Sequence, residues 1–197
     1  ISINGSIRRF YLGDLFSMTR ELYNRAAAEG KNPMHYIYED LGIKRGCKYF
    51  VETGTHLGGS VDVALELGFD KIFSCEFMTD RYNHCMNKYE NNDNIYLWNG
   101  TSVDCFPDII SRLDQKSLFW LDAHGEGGGV PTFEELDIIA TSSIKDHIIL
   151  IDDIPIYFSH NKQELKDKIL SVNPNYTIVE YQTINDHKDY VIGAFVE

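Results

Sequence analysis

The chain is poor in proline, tryptophan and cysteine, with five, two and four of them in 197 residues. Cys47, Cys75, Cys85 and Cys105 show no Cys-x-x-Cys spacing, which argues against a zinc-ribbon or dithiol redox motif. Cys75 lies in an apolar run and Cys105 beside Phe106, so buried free thiols in a reducing compartment are expected rather than disulfides. Positive charge is also scarce: 18 Lys and Arg against 30 Asp and Glu give a formal charge of −12. Such a surface repels phosphate backbones, so no nucleic-acid partner is expected. It suits a neutral or cationic small molecule, or simply solubility. No apolar run approaches the roughly 20 residues that span a bilayer, so no membrane span is expected. An initiator Met and a signal-like start are missing. The chain opens at Ile1, as a domain cut from a longer protein or a processed product would.

What is present is globular in character, with 43% apolar and 13% aromatic residues and a length that suits one domain. Helical spacing over 14–28 and about 33–41 predicts an N-terminal helical cap, residues 1–47. From Lys48 to residue 197 the chain alternates. Apolar runs at Tyr49–Thr53, Lys71–Glu76, Ile95–Trp98, Ser117–Asp122 and His147–Asp152 read as strands. Amphipathic stretches at about 59–68, 79–90, 102–114 and 132–143 read as helices between them. This is the pattern of an α/β fold, a Rossmann-like doubly wound, mostly parallel sheet. After a helix at about 161–171 the alternation breaks. Tyr176–Thr183 and Asp189–Val196, joined across Asn185-Asp186-His187, read as a C-terminal antiparallel β-hairpin.

The first strand runs into Glu52-Thr53-Gly54-Thr55-His56-Leu57-Gly58-Gly59-Ser60. A glycine-rich turn between strand and helix lets backbone approach a ligand at a helix N-terminus. The spacing E-x-G-T-x-x-G-G-S is not the dinucleotide fingerprint G-x-G-x-x-G. Ligands of open parallel sheets bind beyond the carboxyl ends of the strands. There every strand delivers a polar or acidic group: Glu52-Thr53-Gly54, Cys75-Glu76-Phe77, Trp98-Asn99-Gly100-Thr101, Asp122-Ala123-His124 and Asp152-Asp153. Glu76 falls about twenty residues after the glycine turn, where a carboxylate accepts hydrogen bonds from both ribose hydroxyls. The blander readings are a tight turn without ligand, a strand-end carboxylate, a helix-capping acidic pair and a surface-loop histidine.

Taken together, the E-x-G-T-x-x-G-G-S turn, Glu76, Asn99-Gly100-Thr101-Ser102, Leu121-Asp122 and the closing hairpin resemble a class I S-adenosylmethionine-dependent methyltransferase over residues 48–197. The resemblance implies a seven-stranded sheet with the last strand reversed. It implies a cofactor site made of Glu52, Thr53, Gly54, Thr55, Gly58, Ser60, Glu76, Phe77, Thr101, Ser102 and Asp122. In it Glu52 and Gly54 lie by the methionine moiety, Glu76 holds the ribose, and Thr101 and Ser102 border the adenine, with Phe77 and Trp98 beside it.

Asp122, His124, Asp152 and Asp153 bring three carboxylates and an imidazole to adjacent strand ends. Hard oxygen ligands suit Mg²⁺ or Mn²⁺. The set is similar to that of metal-dependent sugar O-methyltransferases, which implies Asp122, Asp152 and Asp153 as ligands. The same resemblance implies His124 as base, with Asp122 and Asp153 assisting; Glu126 competes for a ligand or base role. Tyr157, Phe158 and His160, with Arg8, Arg9, Phe10 and Tyr11, are candidate walls of a carbohydrate pocket, and His56 a candidate contact in the turn. The chain also resembles methyltransferase domains fused to glycosyltransferase domains in chlorovirus proteins. That implies a deoxyhexose acceptor such as rhamnose on a glycan, and the host cytoplasm as location. The rivals are an O-methyltransferase of catechol-type molecules, a nicotinamide-dependent oxidoreductase, a metal-dependent hydrolase and a non-catalytic binding module.

Overall fold

The computed structural model describes residues 24–124, 129–182 and 190–197, apart from positions 27 and 33. Seven strands form one sheet in the order β3-β2-β1-β4-β5-β7-β6. They are β1 Tyr49–Thr53, β2 Lys71–Glu76, β3 Ile95–Asn99, β4 Ser117–Leu121, β5 Ile148–Ile151, β6 Thr177–Gln182 and β7 Tyr190–Phe195. The first five are parallel. Strand β7 inserts antiparallel between β5 and β6, with Ile151 opposite Ile192 and Val179 opposite Gly193. The expected hairpin is therefore present, and its connection lies outside the described residues.

The helices are α1 Met34–Ile37, α2 Gly59–Leu67, α3 Thr79–Lys88, α4 Ser102–Ser111, α5 Thr132–Ile139, the single turn α6 Ile154–Tyr157, and α7 Lys162–Val172. Beyond α1 the chain continues in a wider turn, Tyr38–Gly42, and a tight one, Ile43–Arg45. Of the expected helix 14–28 only the end is described, and residues 24–26 and 28–29 are helical.

Strand alternation sorts the core into two layers. Val51, Phe73, Phe119, Leu121, Ile149 and Ile151 face one side, where Phe106, Ile109, Leu136, Leu165 and Ile169 of α4, α5 and α7 cover them. Phe50, Ile72, Leu118, Trp120, Ile148 and Leu150 face the other, against Val61, Ala64 and Cys85 of α2 and α3 and against Tyr38. Both faces of β1, β4 and β5 are buried throughout, which is why those strands read as unbroken apolar runs. All four cysteines are free and buried. At the sheet's lower edge the buried His147 ring accepts the Ser117 N–H at Nδ1 (3.1 Å) and contacts the Ser142 hydroxyl at Nε2 (2.9 Å). Burial holds its pKa down at about 4.

Strand order reverses at β1, between β2 and β4. That reversal opens a crevice above the carboxyl edge.

Candidate functional site

The crevice is a cleft of about 240 Å³ whose floor is Gly54, Cys75, Gly100 and Asp122. The glycine turn shapes it. Gly54 has φ +84°, and a Cβ there would stand 2.7 Å from the Asp122 carbonyl, so no other residue fits between β1 and β4. The N–H groups of Gly54 and Thr55 donate to the Cys75 carbonyl at 3.0 and 3.1 Å, fastening the turn to β2. Gly58, with φ +80°, packs against Tyr89, whose hydroxyl lies 2.7 Å from the Gly58 carbonyl and 2.8 Å from Asp62 Oδ1. The sequence reading did not single out Tyr89, because it lies beyond the next strand.

Glu76 lies at the cleft wall with its carboxylate held from behind. The His56 N–H donates to Oε2 and the Met78 N–H to Oε1, both at 2.7 Å. Each oxygen keeps a lone-pair direction for a ligand. The His56 donation requires left-handed backbone, φ +50°, a conformation that costs a non-glycine residue roughly 1 kcal/mol. Phe77 and Met78, 53% and 38% exposed, form an apolar rim beside Glu76, with Arg81 also lining the cleft. Ser102 also lines the cleft, with its hydroxyl buried beside Glu135.

Glu52, Thr53, Thr55, Gly58, Ser60 and Thr101 do not line the cleft, unlike the other residues of the expected cofactor set. They build it instead. Glu52 is buried beneath the turn, where it accepts from the Ser74 hydroxyl (2.9 Å) with Ser60 close by. Ser74 in turn meets the Thr55 hydroxyl at 2.6 Å. Desolvation pushes the Glu52 pKa up to about 8, against the partial relief of those hydroxyls. Thr53 Oγ1 accepts the Asp122 N–H at 3.2 Å, tying β1 to β4. Thr101 caps α4 by accepting the Asp104 N–H at 3.2 Å. Trp98, expected beside an adenine, does not line the cleft; it packs on Phe73 and donates its indole N–H to Asp108 at 2.9 Å. Its position one residue before Asn99 turns it to the covered face.

Beyond Asp122 the site becomes acidic. One ligand atom each from Asp122, His124 and Asp153 lies within 4.8 Å of the others. Asp152, grouped with Asp122 and Asp153 in the sequence reading, falls outside this cluster. Its Oδ1 accepts the Asp153 N–H at 2.8 Å, which stabilises the left-handed Asp153 backbone (φ +55°) that starts α6. His124 is not a surface-loop residue: its side chain is 2% exposed. Tyr157 stacks on the ring at 4.9 Å and 18°, and Phe158 meets it edge-on at 5.9 Å. Phe158 is buried, whereas His160 is exposed. Arg8, Arg9, Phe10, Tyr11 and Glu126 lie outside the described residues.

Glu135 of α5 was not anticipated. It is buried near Ser102, Thr53 and His124, and desolvation raises its pKa to about 7 against partial relief from the Ser102 and Thr53 hydroxyls. Its position reads from sequence as one more acid in a helical first turn, which gives no signal of burial.

A parallel sheet closed by a reversed strand, with a glycine turn over its switch point and a strand-end acid on β2, is the class I S-adenosylmethionine-dependent methyltransferase fold. Solved structures of that class superpose on nearly the whole chain. An O-methyltransferase from Bacillus cereus in complex with S-adenosylhomocysteine matches with a TM-score of 0.65 at 15% identity, over 97% of this chain and 94% of that one. The O-methyltransferase TomG of Streptomyces achromogenes, involved in tomaymycin synthesis and solved with S-adenosylmethionine, matches with a TM-score of 0.65 at 13% identity, over 97% and 93%. A putative caffeoyl-CoA O-methyltransferase from Staphylococcus aureus gives 0.57 at 16%, over 94% and 97%. At these identities the likeness is one of fold. No family profile and no curated protein sequence matches the chain. No helix among the described residues is long and apolar enough to cross a membrane.

Proposed function

We propose that the protein transfers the methyl group of S-adenosylmethionine to a hydroxyl oxygen, and that the acceptor is a carbohydrate, a deoxyhexose such as rhamnose on a glycan. The observation that carries the first part is Glu76. Its carboxylate is pinned by two backbone amides at the wall of a cleft at the switch point, with lone pairs left for a ribose diol. The apolar rim of Phe77 and Met78 suits a flat purine, and the acidic far end suits the positive sulfonium.

In the transfer the acceptor oxygen forms a bond to the methyl carbon as the carbon–sulfur bond breaks, the sulfur keeps that electron pair, and the hydroxyl proton leaves to a base. The protein's work is to hold oxygen, methyl and sulfur in line and to receive the proton. His124 was the expected base. Its ring is enclosed by Tyr157, Phe158 and Thr132, so the proton passes in this reading to a carboxylate of Asp122 or Asp153, both partly exposed. A divalent cation fits Asp122, His124 and Asp153. Two carboxylates supply hard oxygens, and the buried Nδ1 of His124 has no hydrogen-bond partner. When bound, such an ion lowers the pKa of a coordinated hydroxyl, and an imidazole in the set favours Mn²⁺ over Mg²⁺.

The carbohydrate acceptor, and a natural context beside glycosyltransferase domains in a longer viral chain acting in the host cytoplasm, rest on the motif resemblance. A catechol-type acceptor is the second reading, supported by the overlap with the caffeoyl-CoA O-methyltransferase structure. Calorimetry with S-adenosylmethionine and S-adenosylhomocysteine tests the cofactor; absence of binding ends the proposal. Methyl-labelled cofactor incubated with rhamnosides and with catechols, followed by mass spectrometry, separates the two acceptors. Full turnover in EDTA removes the cation from the scheme.

A further inference from the structure

The cation reading leaves one question open: which nitrogen of His124 carries the proton. Three segments converge on this ring. The loop after β4 supplies it, with Nδ1 turned to Asp122 Oδ1 at 3.7 Å. The first residue of α5, Thr132, is fully buried and sets its hydroxyl 3.1 Å from Nε2. The turn α6 lays Tyr157 flat on one face, and Phe158, just beyond it, closes an edge. The ring therefore has one orientation and two chemically different nitrogens.

The 3.7 Å gap favours one tautomer. An Nδ1–H beside a carboxylate closes to a charge-assisted hydrogen bond of about 2.8 Å. Here the nitrogen and the oxygen face each other at a longer distance, and Nδ1 is buried without a hydrogen-bond partner. With Asp153 the third corner, these atoms are spaced as ligands that a divalent cation would bridge. Nε2, by contrast, has a hydroxyl oxygen at hydrogen-bond distance.

We propose that Thr132 is a positioning residue: its Oγ accepts the Nε2–H of His124, which leaves Nδ1 bare and aimed at the Asp122–Asp153 carboxylates as a ligand for a divalent cation. The assignment rests on the cation reading of that cluster. It gives α5 a part in the site that its sequence does not announce. It also explains why a threonine occupies a fully buried helix N-terminus whose cap residue is Pro131, which makes no side-chain cap bond. An outer partner of this kind typically changes metal affinity 10- to 100-fold when removed.

The test is Mn²⁺ titration of the purified protein by calorimetry, with free Mn²⁺ followed by electron paramagnetic resonance. Thr132→Val keeps the shape and removes the acceptor; its Mn²⁺ dissociation constant should rise at least tenfold. Thr132→Ser restores the hydroxyl and should stay within about threefold of the parent. S-adenosylhomocysteine affinity should be unchanged in both, which separates loss of a ligand's orientation from loss of the fold. In the metal-free parent, long-range ¹H–¹⁵N spectra should show the His124 proton on Nε2. Equal Mn²⁺ affinity in parent and Thr132→Val, or a proton on Nδ1, overturns the role of Thr132 and leaves the cation site standing. A parent that binds no Mn²⁺ overturns both, while the cofactor reading remains.

Discussion

Glu52→Gln should stabilise this protein, and by an amount that grows with pH. The parent carboxyl is buried under the glycine turn with a folded pKa of about 8, against an unperturbed value of 4.5. Between those values the folded chain holds a proton that the unfolded chain has released. Raising the pH across that interval therefore favours unfolding by about 1.4 kcal/mol per unit. Below pH 4.5 both states are protonated and Glu52 contributes no slope; above about 8 the loss is complete. From pH 5 to pH 8 the accumulated loss is about 3–4 kcal/mol. Glutamine is nearly isosteric, accepts the Ser74 hydroxyl as the acid does, and never ionises. Urea unfolding of parent and variant at half-unit steps from pH 5 to 9 isolates the effect, because other titrating groups cancel in the difference. The variant should differ little at pH 5 and lead by about 3–4 kcal/mol at pH 8, with a plateau beyond. A difference that stays flat across the range refutes the burial argument. So would a slope of the opposite sign, which would mean that Glu52 is ionised and paired in the folded chain.

Other outcomes follow from the same geometry. Acid should unfold the protein through His147, whose folded pKa of about 4 lies below its unperturbed 6.5: stability is full above about pH 6.5 and falls by up to about 3 kcal/mol as pH drops to 4, a slope that His147→Gln should remove in urea titrations. Gly54→Ala forces φ +84° on alanine and a Cβ 2.7 Å from the Asp122 carbonyl, so its melting temperature should fall by an amount equivalent to about 2 kcal/mol or more, with loss of cofactor binding in calorimetry. Glu76→Ala removes the acceptor of the His56 and Met78 amides and should weaken S-adenosylhomocysteine binding at least tenfold; unchanged affinity would move the ribose elsewhere. Asp122→Asn should cut labelled-methyl transfer at least a hundredfold while the cofactor still binds, since one neutral amide replaces a cation ligand and a candidate base.

Much of the fold could be read from residue order because its physics is local. Unbroken apolar runs in strands and amphipathic stretches between them specify parallel units, and a short polar link between two terminal runs specifies a reversed strand. The strand bounds agree to within a residue or two. The site was legible only in part. Gly54, Glu76, Phe77, Ser102, Asp122 and His124, all named as site candidates from the sequence, line the cleft. Glu52 and Ser60 follow the same motif but turn beneath it, because β1 register sets Glu52 opposite Ser74 and opposite Trp120, inside the sheet. Glu135 and Thr132 gave no signal, since only the packing of α5 against β4 and α4 buries them.

The residue order alone therefore determined the sheet, its reversed strand, the glycine turn and the ring of polar strand ends, since each depends on neighbours a few positions away. Tertiary structure decided which polar strand-end groups line the cleft and which pack behind it. Of Asp152 and Asp153 the second joins the cluster, while the first accepts the Asp153 N–H. The His124 ring is enclosed because Tyr157 and Thr132, far apart in sequence, close on it. Orientation at that scale depends on contacts between distant elements, and a one-dimensional pattern carries no record of them.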